Sequence, residues 1–242
     1  MVNMEKFIIA GLKTEYNVRG KLLADRSAPY KADFESDNVD IRLNIKKEFI
    51  DDQQKNMPHL SWDEHEFMWT CEAFYRELLN HNGIMLHSSC VEKDGYAYLF
   101  SARSGTGKST HTHLWLKNLS NTRIINDDKP ALIFENGVWY ACGTPFSGKT
   151  DENLDVKVPV RAIVFLHRSE TNQVKRMAPQ LAVGQFLSQT VHPGEKGLSE
   201  KMLENLDLLL KSVPIFTLGC NLDDEAAKIA YEGIEGLIKN EN

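Results

Sequence analysis

One run of small and charged residues, Ala102-Arg103-Ser104-Gly105-Thr106-Gly107-Lys108-Ser109, carries the strongest chemical signal in the chain. Its glycines let the backbone turn so that successive N–H groups can face one anion. A helix starting near Lys108 would add the positive end of its dipole. The run is a phosphate-binding loop with alanine in the first, usually glycine, position. Lys108 can reach the β- and γ-phosphates of a nucleoside triphosphate, and the Ser109 hydroxyl can ligate Mg²⁺. Ser104, Gly105, Thr106, Gly107 and Thr110 complete the nucleotide-contacting set. Such a loop says where a nucleotide sits, not what is done with it.

A second group supplies candidates for the chemistry. Asp127 and Asp128 follow Lys108 by 19 and 20 residues. One helix and one strand fill that gap, so the returning strand can set both carboxylates near the γ-phosphate. One carboxylate of the pair would bind Mg²⁺, which takes a few carboxylates together with phosphate oxygens. The other could accept a proton from an attacking hydroxyl. An aspartate pair is also an ordinary strand-end turn. His87 precedes Lys108 by 21 residues, in the strand-like Met85-Leu86-His87-Ser88-Ser89. From a strand beside the loop strand it can bring positive charge to the γ-phosphate or polarise Asp127. A lone histidine in an apolar strand is also a common core residue. Lys149, in the loop Cys142-Gly143-Thr144-Pro145-Phe146-Ser147-Gly148-Lys149-Thr150, can neutralise developing charge if that loop closes over phosphates; otherwise the loop is plain surface. Arg103 is a further candidate contact to phosphate or acceptor. His111 and His113 face different sides of a helix and lack a third ligand, so they read as surface or packing residues. Trp62, Trp69, Trp115 and Trp139 read as core.

These residues need elements to position them. Residues 96–100 run into the loop as a strand, and residues 110–117 run out as a helix. Residues 85–91 and 96–100 form a hairpin turned at Asp94-Gly95. A short strand at 123–126 ends in the aspartate pair. Residues 131–134 and 138–141 form another hairpin, turned at Asn136-Gly137, and 160–166 is a nearly continuous apolar strand. Helices are expected over 180–188, 199–211 and 223–239, with a strand at 213–218. Upstream, two short strands flank Gly11, and 39–45 alternates as a half-buried strand. Residues 25–37 and 51–58 read as polar connectors. Ser61 and Glu64 form a capping box for a helix whose apolar face is Phe67, Cys71, Phe74 and Leu78. That helix ends near Asn80, with Gly83 as the stop.

Composition sets the outer limits. The chain has 242 residues, a net charge of −6 and 42% hydrophobic residues, enough for a sizeable core and unfavourable for nucleic acid. No apolar run reaches the roughly 18 residues of a membrane span, and residues 1–10 are too short a stretch for a signal peptide. Cys71, Cys90, Cys142 and Cys220 are far apart and form no CxxC pair. They read as buried thiols of a reducing, cytoplasmic protein.

The loop, His87, the pair Asp127-Asp128 and the wider Asn126-Asp127-Asp128-Lys129-Pro130 with Gly143-Thr144-Pro145 resemble the HPr kinase/phosphorylase catalytic domain and the related nucleotide core of phosphoenolpyruvate carboxykinase. The resemblance covers roughly residues 84–168. It implies an α/β fold with a mixed-sheet phosphate-loop core over 83–242; the upstream strands and helix are expected to form a small α+β segment at 1–82 that packs on it. The resemblance also implies Asp127 as the base, Asp128 as a metal partner beside Ser109 of the loop, a strand histidine at His87, and a homo-oligomer. The Gly-rich signature by which HPr kinases engage their protein partner is missing, Thr110 stands where they carry an acidic residue, and the first 80 residues differ. Expected is Mg²⁺- and ATP-dependent phosphoryl transfer to a hydroxyl of a protein or small molecule, with GTP open because the loop encodes no base contacts. The alternatives are a nucleotide-dependent regulatory module without turnover and a carboxykinase-like lyase.

Overall fold

The computed structural model describes residues 4–35 and 38–240. Residues 1–3, 36, 37, 241 and 242 lie outside the described residues, and with them the start of the N-terminal stretch and the end of the expected 25–37 connector. The elements are β1 (Met4–Ile9), β2 (Leu12–Asn17), α1 (Lys21–Ser27), β3 (Ile41–Leu43), α2 (Lys47–Asn56), α3 (Trp62–Leu78), β4 (Gly83–Met85), β5 (Ser88–Lys93), β6 (Tyr96–Ser101) and α4 (Lys108–Asn118). Then follow β7 (Thr122–Asn126), β8 (Ala131–Glu135), β9 (Val138–Cys142), β10 (Lys157–Arg168), β11 (Gln173–Arg176), α5 (Pro179–Leu187), α6 (Lys196–Ser212), β12 (Ile215–Cys220) and α7 (Glu225–Lys239). The class is mixed α/β, as expected.

The main sheet runs β4-β8-β9-β10-β6-β5-β7, with β12 added to β10 and β11 to β12. Its centre is β10. One edge pairs with β6 in parallel over Val160 to Phe165. The other edge serves β9 antiparallel over Lys157 to Pro159, then β12 in parallel over Ile163 to Arg168. Side chains alternate across this sheet. Ala97, Leu99, Ile163 and Phe165 face α5 and α6 through Phe186, Leu206 and Leu209. Tyr98, Phe100, Ala162 and Val164 face α4 and α7 through Trp115, Ala230 and Ile234. Burial on both faces is why residues 160–166 read as one apolar run.

Where β8 and β9 extend the sheet, its second face is covered by N-terminal residues instead. Phe7, Tyr16, Phe74 and Leu78 share a core with Ala131, Ile133, Cys142 and Phe146. The three-stranded sheet β1-β2-β3 supplies part of that layer. Tight hairpins carry the expected turns: Ala10-Gly11, Asp94-Gly95 and Asn136-Gly137 all have positive φ at both positions, the twist-matched two-residue geometry.

Several expectations are corrected. Residues 25–37 are not all connector: α1 and a 3₁₀ turn at Ala28–Tyr30 occupy the start. The first amides of α1 are capped from far away, Lys21 and Leu22 N–H by Asp63 Oδ2, and Gly20 N–H by Glu66 Oε2. Residues 51–58 are mostly α2, whose only buried residue is Ile50, so no apolar stripe marks it. The 39–45 strand shrinks to Ile41–Leu43. Residues 173–176 form an additional strand, β11, which pairs at the sheet edge with little buried surface and so shows no apolar alternation. The stop after α3 is Asn82, at φ +53. Gly83 lies in β4 for another reason: a Cβ there would sit 2.6 Å from Leu78 Cγ.

Candidate active site

Topology brings the three chemical segments to one end of the strands. β6 delivers the phosphate loop, and α4 carries the chain over β5 to β7, which runs antiparallel to β5. Ser88 therefore pairs with Ser101, and Cys90 with Asn126. The start of β5, the end of β6 and the end of β7 lie together.

The loop between β6 and α4 turns through two glycines in the left-handed region. Gly105 and Gly107 adopt φ of +76° and +121°, and a Cβ at either would meet nothing within 4 Å. That open space lies in front of the first turn of α4, whose N-terminal cap is Gly107. Lys108 is buried, and its Nζ donates to Ala102 O at 3.2 Å. Burial pushes its pKa down, while the charges of Asp128 and Asp127 push it up less strongly. Ser109 is half-buried, and Ser104 and Thr110 are exposed.

The two aspartates have different surroundings. Asp127 is buried; its Oδ1 accepts from Ser89 Oγ at 2.7 Å and its Oδ2 from Thr150 Oγ1 at 3.1 Å. Ser89 also bonds Thr112 of α4 at 2.8 Å, which ties that carboxylate to the loop helix. Asp128 is half-buried. His87 Nε2 lies 2.9 Å from its Oδ1, and Lys129 Nζ is paired with its Oδ2. Burial alone would raise the Asp128 carboxyl, but the His87 hydrogen bond and the Lys129 charge together overcome it and hold the pKa at about 2.

The turn carrying them is built by Asn126. Its Oδ1 accepts from the Asp128 and Lys129 amides at 3.0 and 2.7 Å, and its Nδ2 donates to Thr144 O at 3.1 Å. This is an Asx-type brace. Tyr75 of α3 donates its hydroxyl to Lys129 O and bonds Thr144 Oγ1. Gly143 is needed for close approach: a Cβ there would lie 1.7 Å from Leu154 O.

His87 is not on a strand. The expected strand 85–91 is broken at Leu86 and His87, where the chain leaves β4, paired with β8, and enters β5, paired with β6. His87 N–H donates to Gln189 O at 2.7 Å, and its Nδ1 lies 2.9 Å from Gln189 Oε1. Its position thus depends on the segment after α5, a hundred residues on.

These groups line one cleft of about 990 Å³, with His87, Lys108, Ser109, Asp127, Asp128 and Lys149 on its walls. Lys149 is exposed at its rim. A neighbouring cleft of about 770 Å³ includes Arg103, Arg168 and Gln189, and shares Ser104 and Gly105 with the first.

Residues 55–228 match the family model described as SynChlorMet cassette protein ScmC. The chain belongs to the ScmC family. No curated protein matches it. Among solved structures, the HPr(Ser) kinase/phosphatase from Coxiella burnetii is similar at 11% identity. The match covers 65% of this chain and 99% of that one, with a TM-score of 0.39. A likeness that distant is silent on activity.

In this ScmC-family chain several residues at the site carried no local signal. Arg168, at the end of β10, donates to Gly105 O at 2.7 Å and Thr106 O at 3.3 Å. Arg26 of α1 grips the 147–151 loop through Ser147 Oγ, Gly148 O and Asp151. His113 Nδ1–H donates to Ser109 O at 2.6 Å, and its Nε2 meets Glu152 at 3.0 Å. Burial lowers the His113 pKa, but those two bonds outweigh it and the net direction is upward. His111 is a packing residue: it accepts from Trp115 Nε1, and burial drives its pKa down to about 4.

Proposed function

We propose that this chain transfers the γ-phosphoryl group of ATP to a hydroxyl in a Mg²⁺-dependent reaction. One observation carries the reading: a buried lysine on a phosphate loop shares a cleft with two aspartates in unlike environments. Paired acids held differently suit different roles, one for a metal and one for a proton.

The open, positive-φ loop fits a polyphosphate, since its glycines leave room where side chains would otherwise stand. Ser109 and Asp128 fit Mg²⁺, which uses one or two carboxylates beside substrate phosphates. When bound, the ion neutralises charge on the phosphates. Lys108 and the loop amides hold the β- and γ-phosphates in the same reading. His87 fixes Asp128 in place. Asp127 takes the proton from the acceptor hydroxyl, whose oxygen bonds to the γ-phosphorus. The bond from that phosphorus to the bridging oxygen breaks, and ADP leaves with the electron pair. GTP offers the same phosphates.

The test is incubation of the purified protein with Mg²⁺ and γ-labelled ATP, with and without cell metabolites and proteins. The expected result is label on one acceptor, reduced by about 10² or more in Lys108→Ala and in Asp127→Asn. Full turnover in Asp127→Asn removes that residue as the base. Tight ATP binding without transfer to any acceptor replaces the kinase reading with a regulatory module.

A further inference from the structure

One wall of the cleft shared with residues 104–110 comes from the N-terminal layer. Leu22 of α1, Leu60, and Phe67 and Met68 of α3 line it, and all four are only half-buried. Two polar groups beside them already have partners. Glu64 accepts from both Ser61 N–H and Ser61 Oγ in the helix cap. Arg26 is bound to Ser147, Gly148 and Asp151, and lies over the Phe67 ring. What this wall offers a ligand is therefore mainly apolar surface, in a cleft otherwise lined by charged and polar groups. Concave apolar surface with a few aimed polar groups is the signature of small-ligand recognition.

The wall is also fastened to the carboxylates. Two turns along α3 from Met68, Tyr75 holds Lys129 O, next to Asp128. The loop gripped by Arg26 carries Thr150, which bonds Asp127. We infer that the apolar wall of Leu22, Leu60, Phe67 and Met68 is the acceptor subsite, and that the acceptor is a compound whose hydroxyl adjoins an apolar group. The assignment rests on the phosphoryl-transfer reading. Polyols, with no apolar group to place there, are poor acceptors.

The test compares matched probes: benzyl alcohol against glycerol, and a Leu-Ser-Leu peptide against Gly-Ser-Gly, both peptides blocked at their ends. Binding is read by saturation-transfer NMR, and transfer by γ-labelled ATP. The apolar member of at least one pair should bind in the cleft and be phosphorylated with kcat/KM at least about tenfold higher. The pair showing the preference tells whether the group comes on a free alcohol or a peptide. Leu22→Gln and Met68→Gln should erase the preference by raising the acceptor KM; Phe67 also packs on Phe146, so its truncation is a poorer probe. Binding of the apolar probe in the cleft, with no label passed to it or to any cell metabolite or protein, keeps the wall as a ligand subsite and sinks the kinase reading. Equal behaviour of each pair overturns the inference. So does a rise in the Kd of ATP, rather than in the acceptor KM, in the two variants, because the wall would then hold the nucleoside.

Discussion

Replacing Asp128 by asparagine keeps the shape of the side chain and removes its charge. In the folded protein that carboxyl titrates at about 2, because the hydrogen bond from His87 and the charge of Lys129 overcome the effect of burial. An ordinary aspartate titrates near ~3.9, and each unit of difference corresponds to ~1.4 kcal/mol. The ionised carboxylate thus contributes about 3 kcal/mol to folding at neutral pH. The folded pKa is depressed, so this contribution is complete above the unfolded value and drains away as pH falls from about 4 towards about 2. Asp128→Asn should unfold with about 3 kcal/mol less free energy than the parent at neutral pH, and the gap should roughly halve by about pH 3. Urea unfolding of both proteins, stepped down in pH, measures it. A gap that keeps its full size at the acid end refutes the reasoning, because the loss would then come from shape or packing rather than charge.

Gly143→Ala should be among the most damaging small changes in the chain, costing about 3 kcal/mol or more, since the new methyl would meet Leu154 O at 1.7 Å; a thermal melt reads it. Arg168→Ala frees the Gly105 and Thr106 carbonyls it now holds and should weaken ATP binding about tenfold by calorimetry. Gln189→Leu removes the side-chain partner of His87 Nδ1. It should lower kcat about tenfold or more while the KM for ATP moves little, a split that steady-state kinetics resolves; an equal loss in both would assign Gln189 to nucleotide binding.

Much of the site was legible because its parts are local. The loop between a strand and a helix, the Asp-Gly and Asn-Gly turns, and the Ser61–Glu64 cap each depend on residues within a few positions of one another. The hairpin register then follows from the turn, which is why the start of β5 could be set beside the loop from sequence. Legibility failed where a segment takes its structure from distant partners. α1 has its amides capped by Asp63 and Glu66, more than forty residues away. α2 shows almost no apolar stripe. The break at His87 arises because β4 and β5 pair with different strands, which no run of residues records.

By itself, then, the sequence determined a glycine-rich loop on a strand–helix joint and two aspartates one helix and one strand later. Short-range hydrogen bonds and backbone preferences suffice for those. Only the tertiary structure decided that Asp127 is buried between Ser89 and Thr150 while Asp128 stands between His87 and Lys129. It alone decided that Gln189 and Arg168 steady the site, and that an N-terminal apolar wall faces it. Those environments are set by packing among segments far apart in the chain, and the electrostatics of a carboxylate follow from what surrounds it in space rather than from its neighbours in sequence.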